Sequence, residues 1–266
     1  MPQLLKSDPA NGVGVAAGSV FFSLGSTHWQ NLTGGSYAAA TFDYSPPGGK
    51  AWADGEMATM NMANWGGEGK WYSAKRRLNL ALGYGTYEQS LKVGVGSGVT
   101  TTFYLSEAER DRFQEIDFEF SGHCGDQKPC GTQFAWTNVW REGSQYGLPS
   151  PLGAGAPDTT SGWGFTVYRY KITWEPDAVT WSVDIGGKGD RYVDIRTQPM
   201  GDYHYVEALC YPFISFWTGW TPDNSPFTGG SGATHDCGTS GRCYQAYYFQ
   251  PLRFTPSGRN KQVTLG

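Results

Sequence analysis

Histidine is nearly absent from this sequence: His28, His123, His204 and His235 are the four among 266 residues. No two of them stand at the spacing of a metal-ligating pair, so no metal and no other cofactor is expected. Charge is sparse too, at 17% of residues with a net charge of −4, and no basic run occurs. That excludes the electrostatic footprint of a nucleic-acid binder. No apolar run is long enough to span a bilayer, so no membrane partner is expected. The first residues, Met1-Pro2-Gln3-Leu4-Leu5-Lys6, lack the basic-then-apolar pattern of a secretion signal. Cysteine is limited to positions 124, 130, 210, 237 and 243. Cys124/Cys130 and Cys237/Cys243 each enclose a short loop, so two local disulfides and a secreted protein, its signal removed, are expected; other pairings stay open. Cys210, within Ala208-Leu209-Cys210-Tyr211, is expected as a buried free thiol.

What is abundant points to a β protein with a binding surface. The sequence holds 38 glycines, 15% aromatic residues and 11 tryptophans. Ordinary β-core packing accounts for the Tyr and Phe content but not for so many tryptophans. Around 266 residues with 39% hydrophobic content suffices for one large domain, and residues 1–266 are expected to form it.

The stretch with the most chemistry is Glu115-Ile116-Asp117-Phe118-Glu119-Phe120. Acidic and apolar residues alternate strictly, the period of a β-strand with one polar and one buried face. Three carboxylates on one strand face repel each other, and a solvated edge would favour lysine. Glycoside hydrolysis, by contrast, requires two carboxyl groups, one as nucleophile or base and one as proton donor. In retaining enzymes they stand roughly 5–5.5 Å apart. Residues i and i+4 of a strand have Cα atoms about 13 Å apart, and converging side chains close that gap. Reach alone also allows the wider inverting separation. Asp117 between the two glutamates would couple their titrations, keeping one protonated while the other is ionised.

The Glu-Ile-Asp-Phe-Glu-Phe stretch resembles the E-x-D-x-E signature of glycoside hydrolase family 16. Its uninterrupted form is similar to the lichenase and xyloglucan endotransglycosylase branch. The resemblance implies a jelly-roll β-sandwich, two antiparallel sheets with an open substrate cleft. It implies Glu115 as nucleophile, Asp117 as its assistant and Glu119 as acid/base. The implied activity is endo-acting, retaining hydrolysis of a β-glucan, with mixed-linkage β-1,3-1,4-glucan first. A transglycosylase with the same residues is the nearest alternative, and a catalytically silent lectin the alternative from another class. A polysaccharide is the expected partner and a monomer the expected state.

Further segments resemble the family more loosely. Leu78 to Leu82 and Tyr84 to Val93 read as strands. Tyr84-Gly85-Thr86-Tyr87-Glu88 resembles a family strand that runs beside the catalytic one, and the resemblance implies a sugar contact for Glu88. Phe134, Trp136, Asn138 and Trp140 alternate onto one face; aromatic rings and an amide suit a saccharide groove, and the family likeness supports Asn138 and Trp140. Tyr168 to Asp184 reads as a hairpin turning at Pro176-Asp177, with Tyr168 where relatives carry histidine. Ser215 and Trp217, in Phe213-Ile214-Ser215-Phe216-Trp217, match family cleft positions.

Overall fold

The computed structural model describes residues 13–16, 18–32, 42–45, 57–64, 71–72, 74–94, 99–107, 114–121, 134–141, 144–145, 148–151, 167–184, 191–200, 209–218 and 242–258. All regular elements among them are strands. The first are β1 (Val13–Ala16), β2 (Ser19–Phe22), β3 (Trp29–Asn31), β4 (Phe42–Ser45), β5 (Met57–Asn64) and β6 (Trp71–Tyr72). They are followed by β7 (Ala74–Leu78), β8 (Gly85–Lys92), β9 (Val99–Ser106), β10 (Gln114–Ser121), β11 (Phe134–Arg141) and β12 (Ser144–Gln145). The last are β13 (Leu148–Pro151), β14 (Tyr168–Trp174), β15 (Ala178–Asp184), β16 (Tyr192–Pro199), β17 (Tyr211–Thr218) and β18 (Arg242–Pro256).

These strands form two antiparallel sheets, the jelly-roll sandwich expected. One has the order β12-β11-β10-β9-β17-β7-β3, with β13 also on β11; it carries the acidic strand and is called the cleft sheet below. The other runs β1-β2-β18-β8-β14-β15-β16, with β5 also on β18 and both β4 and β6 on β5. Inner faces of both sheets supply the core. Ile116, Phe118 and Phe120 of β10 are fully buried there. Phe120 packs on Tyr170 of β14 at 4.6 Å between ring centroids, and Phe118 meets the same ring edge-on at 5.5 Å. Each buried side chain of this size contributes about 1.5–3 kcal/mol. Alternation therefore fixes β10 firmly: the apolar residues are held inward, and the three acids must face out.

The hairpin of β14 and β15 forms as its Pro-Asp turn implies, with Tyr170 paired to Val183 and Trp174 to Val179. One expected strand does not form. After Leu78 the chain bends at Asn79 and Leu80, and Leu82 makes only an isolated bridge to Cys210. The physical reason is topological: β7 lies in the cleft sheet and β8 in the other, so residues 79–84 carry the chain across the sandwich. Where β8 begins, it lies close against β18. A Cβ on Gly85 would come within 2.5 Å of the Thr255 carbonyl oxygen and 2.7 Å of the Phe254 ring, so only glycine fits.

Cys210 is free and buried, as expected. Cys124, Cys130 and Cys237 lie outside the described residues, as does the side chain of Cys243, so the two expected disulfides do too.

Candidate active site

The cleft is assembled by cross-strand register. β10 lies between β9 and β11, and three rows of outward side chains cross these strands. Glu115 is flanked by Trp140 and Ser106, Asp117 by Asn138 and Tyr104, and Glu119 by Trp136 and Thr102. Beyond β9, the second row continues through Phe213 of β17 to Arg77 of β7. The third continues through Ser215 to Lys75. A cavity of about 230 Å³ opens over this surface. Its lining is the three acids with Lys75, Thr102, Tyr104, Ser215 and Trp217.

The strand is anchored from beneath and from the side. Trp181 of β15 reaches through the core, and its indole N–H donates to the Asp117 carbonyl at 2.9 Å. Arg196 of β16 donates to the Thr137 backbone carbonyl and, at 3.2 Å, to its hydroxyl, tying β11 to the opposite sheet. Tyr248 of β18 donates at 2.9 Å to the carbonyls of both Thr102 and Ser215. Three long inward side chains thus hold β9, β10, β11 and β17 in register beneath the cavity.

Within the cleft the acids face one another. The Asn138 backbone N–H donates to Asp117 Oδ1 at 3.0 Å, and the Asn138 amide donates to Glu119 Oε2 at 3.4 Å. Asp117 is 1% exposed, and it stands close enough to Glu115 to share a hydrogen bond when one of the two holds a proton. Burial, more than any neighbour, makes these groups weak acids. It pushes Glu115 up to about 7, against the pull of the Lys75 ammonium and of the hydrogen bond with Asp117. Glu119 is pushed to about 8, first by burial and then by the negative charge of Glu115, with the Asn138 amide drawing it back. Asp117 is raised well above the usual carboxylate range by burial and by both flanking glutamates. Near neutral pH such a trio holds protons that isolated carboxylates would release.

Of the residues expected from the sequence, Glu115, Asp117, Glu119, Ser215 and Trp217 share the cavity. Trp136, Asn138 and Trp140 border it on β11, the first and last half-buried. Glu88 is a correction. It stands on β8 in the opposite sheet, where the inward Tyr87 and Leu91 turn it to the outer face. There it forms an ion pair with Arg253 at 3.2 Å and accepts a hydrogen bond from the Tyr192 hydroxyl. Sequence reasoning missed Lys75, Thr102 and Tyr104. Thr102 and Tyr104 share one parity of a β-branched strand, but nothing local says that this strand pairs with β10. Lys75 is three strands away, so no local pattern could have found it. Among the described residues, no group of three or more His, Cys, Asp and Glu is arranged to hold a metal ion.

A sequence model of the family described as Glycosyl hydrolases family 16 matches residues 47–229, a span that contains all three acids and most of the cleft sheet. The chain belongs to that family. Its curated relatives include Congo red hypersensitive protein 1 of Saccharomyces cerevisiae, 28% identical over 155 residues, covering 57% of this chain and 26% of that protein. Probable glycosidase CRR1 of the same yeast is 33% identical over 149 residues, covering 54% and 31%. The match thus spans about a quarter to a third of these relatives' own length. Among solved structures, a Bacillus licheniformis beta-glucanase superposes with a TM-score of 0.61 at 16% identity, covering 94% of this chain and 97% of that one. A Crh5 transglycosylase in its apo form gives 0.61 at 22% identity, covering 97% and 92%. At these identities the likeness is one of fold.

Proposed function

We propose that this chain is an endo-acting, retaining glycosidase of β-glucans, with mixed-linkage β-1,3-1,4-glucan as first substrate. The observation that carries the reading is the pair Glu115 and Glu119 on one face of β10, lining one cavity where burial pushes the first up to about 7 and the second to about 8. A retaining mechanism needs the lower of such a pair ionised and the upper protonated at the same pH. Glu119 then gives its proton to the leaving glycosidic oxygen while Glu115 attacks the anomeric carbon. In the second half-reaction Glu119, now a carboxylate, removes the proton from water, which displaces Glu115 from the sugar. Asn138 holds Asp117 and Glu119 in place through its two hydrogen bonds. Trp136 and Trp140 on one side of the acids and Trp217 on the other offer ring faces to the sugar chain.

A second reading keeps the same covalent intermediate and replaces water with a sugar hydroxyl. The Crh-like relatives favour it, since a solved structure of that name is described as a transglycosylase. The two readings separate on product length: oligosaccharides longer than the substrate mean transfer.

The reading is tested with a Glu119→Ala variant and a β-glucoside oligosaccharide bearing a dinitrophenyl leaving group. That leaving group needs no acid, so the glycosyl-enzyme should form and stall, and azide should restore turnover by giving a β-configured glycosyl azide. An α-configured azide would reverse the roles of the two glutamates. Reducing-end release from barley glucan, lichenan, laminarin and xyloglucan identifies the substrate. Failure to act on any of them would sink the glucanase reading.

A further inference from the structure

Two glutamates four residues apart on one strand begin as near equivalents. Both face the same cleft, both are largely buried, and Asp117 lies between them. Something has to make them unequal if one is to attack while the other donates a proton. The asymmetry lies three strands away, on β7.

Lys75 stands in the cross-strand row of Glu119, separated from it by Thr102 and Ser215. Its side chain does not stay in that row. The ammonium lies 4.9 Å from the ring centroid of Phe213 and 5.3 Å from that of Tyr104. Those rings are stacked, 4.7 Å apart and 6° from parallel, and they sit in the row of Asp117. The lysine is therefore laid diagonally across an aromatic platform, in the cavity that it shares with Glu115, and its charge favours the carboxylate form there. Thr102 and Ser215, hydrogen-bonded to each other, occupy the direct line toward Glu119.

Among the described side chains around Glu115, the other cation is the Arg77 guanidinium, held over the Tyr211 ring in the row of Glu115 and outside the cavity lining that Lys75 shares. Asp117 and Glu119 on its own strand are acids. β9 offers Tyr104, with Glu107 just beyond its end, and the described side chains of β11 beside it, Trp140 and Asn138, are uncharged. Tyr211 of β17 is covered by the Arg77 guanidinium, 4.9 Å from its ring, and the nearby Cys210 thiol is fully buried. Arg196, from the opposite sheet, acts on Asp117 from below the strand.

We propose that Lys75 is the positioning residue that makes the two glutamates unequal: its ammonium, laid over the Tyr104–Phe213 stack, fixes Glu115 as the carboxylate and leaves Glu119 as the acid. The ring platform is apolar and keeps water from screening the charge, which strengthens its hold on a buried neighbour. The influence is mutual. Burial lowers the basicity of Lys75, and Glu115 raises it again. The opposing pull of a cation acts on Glu115, whereas at Glu119 the counter-pull is only the Asn138 amide and Glu115 itself makes ionisation harder.

The experiment is a pH titration of 13C-labelled glutamate carboxyls by NMR, assigned with Glu115→Gln and Glu119→Gln. It is run on the unmodified chain and on Lys75→Met, Lys75→Gln and Lys75→Arg, so that one poorly folding neutral variant leaves another to measure. An opposite charge close to a buried carboxyl moves it by about one unit or more. Both neutral variants should therefore raise the Glu115 midpoint by about one unit and the Glu119 midpoint by less, erasing their order. Lys75→Arg should preserve the order. Equal shifts at both glutamates, an unchanged order in the neutral variants, or an arginine variant that titrates like the neutral ones would overturn the proposal. The consequence for turnover rests on the retaining reading above. On barley glucan, the acidic limb of the kcat/KM profile should move up by about the same unit in Lys75→Met. Inactivity of the unmodified chain on every glucan would count against the glycosidase reading alone, because the titration decides the role of Lys75 without a substrate.

Discussion

Glu88 and Glu119 are both glutamates on the polar parity of an alternating strand, both are largely shielded from water, and they serve opposite ends. Glu88, 5% exposed on the outer face of the second sheet, has its charge answered on both oxygens, by Arg253 and by the Tyr192 hydroxyl. Around it the same face continues with matched groups: Ser182 donates to Asp194 at 2.7 Å, Arg169 to Ser90 at 3.3 Å, and Arg253 also to Ser19 at 3.1 Å. Glu119 faces two other acids and one amide. A buried carboxylate given a cation and a hydroxyl is a structural tie. A buried carboxyl crowded by its own kind is held protonated, at a cost to stability, and that is the state a proton donor needs.

The largest expected effect separates the two faces by activity. Glu115→Ala and Glu119→Ala should each lose at least about 10²–10⁴-fold in turnover of natural glucan, the usual worth of acid–base assistance. Glu88→Gln should stay within about threefold of the unmodified chain. A comparable loss at Glu88, measured as reducing ends released, would break the comparison.

Next comes stability, where the two glutamates should respond with opposite signs. Burial raises the folded-state value of Glu119 from 4.5 to about 8. The folded chain therefore binds that proton more tightly than the unfolded one, and the associated stability, full below about pH 4.5, is lost as pH rises toward 8. Glu119→Gln should accordingly be more stable than the unmodified chain at pH 8, on the order of 2 kcal/mol, and gain nothing at pH 4. Glu88→Gln should be less stable by about 1–2 kcal/mol at pH 8, because Arg253 loses its ion pair and the Tyr192 hydroxyl its charged acceptor. Urea unfolding at the two pH values reads both. A loss of stability in Glu119→Gln at pH 8 would mean that its carboxylate is as well satisfied as that of Glu88.

The smallest effect sharpens the comparison from below. Trp181→Phe keeps most of the ring volume and removes the hydrogen bond to the Asp117 carbonyl, costing about 1 kcal/mol by urea unfolding. Because that bond holds β10 at its middle acid, turnover should fall by more than the stability change alone explains at temperatures where the chain remains folded. No change in either quantity would show that packing of Phe118 and Phe120 on Tyr170 fixes the strand without it.

What the sequence by itself determined is parity and turn. The alternation of residues 115–120 was enough to put three acids on one face and three apolar side chains on the other. Pro176-Asp177 was enough to close the hairpin, and Phe134 to Trp140 to set Trp136, Asn138 and Trp140 on one side of their strand. These follow from a period of two and from local backbone preferences, which extend only over neighbouring residues. Tertiary structure decided which strand lies beside which and in what register. It put β8 in the opposite sheet, taking Glu88 out of the cleft, and brought Thr102, Tyr104 and Lys75 into it. Strand pairing is a long-range choice, made by burying the inner faces of both sheets against each other. A lysine 40 positions before Glu115 in the chain acquires a role there only once β17 and β9 have paired between them.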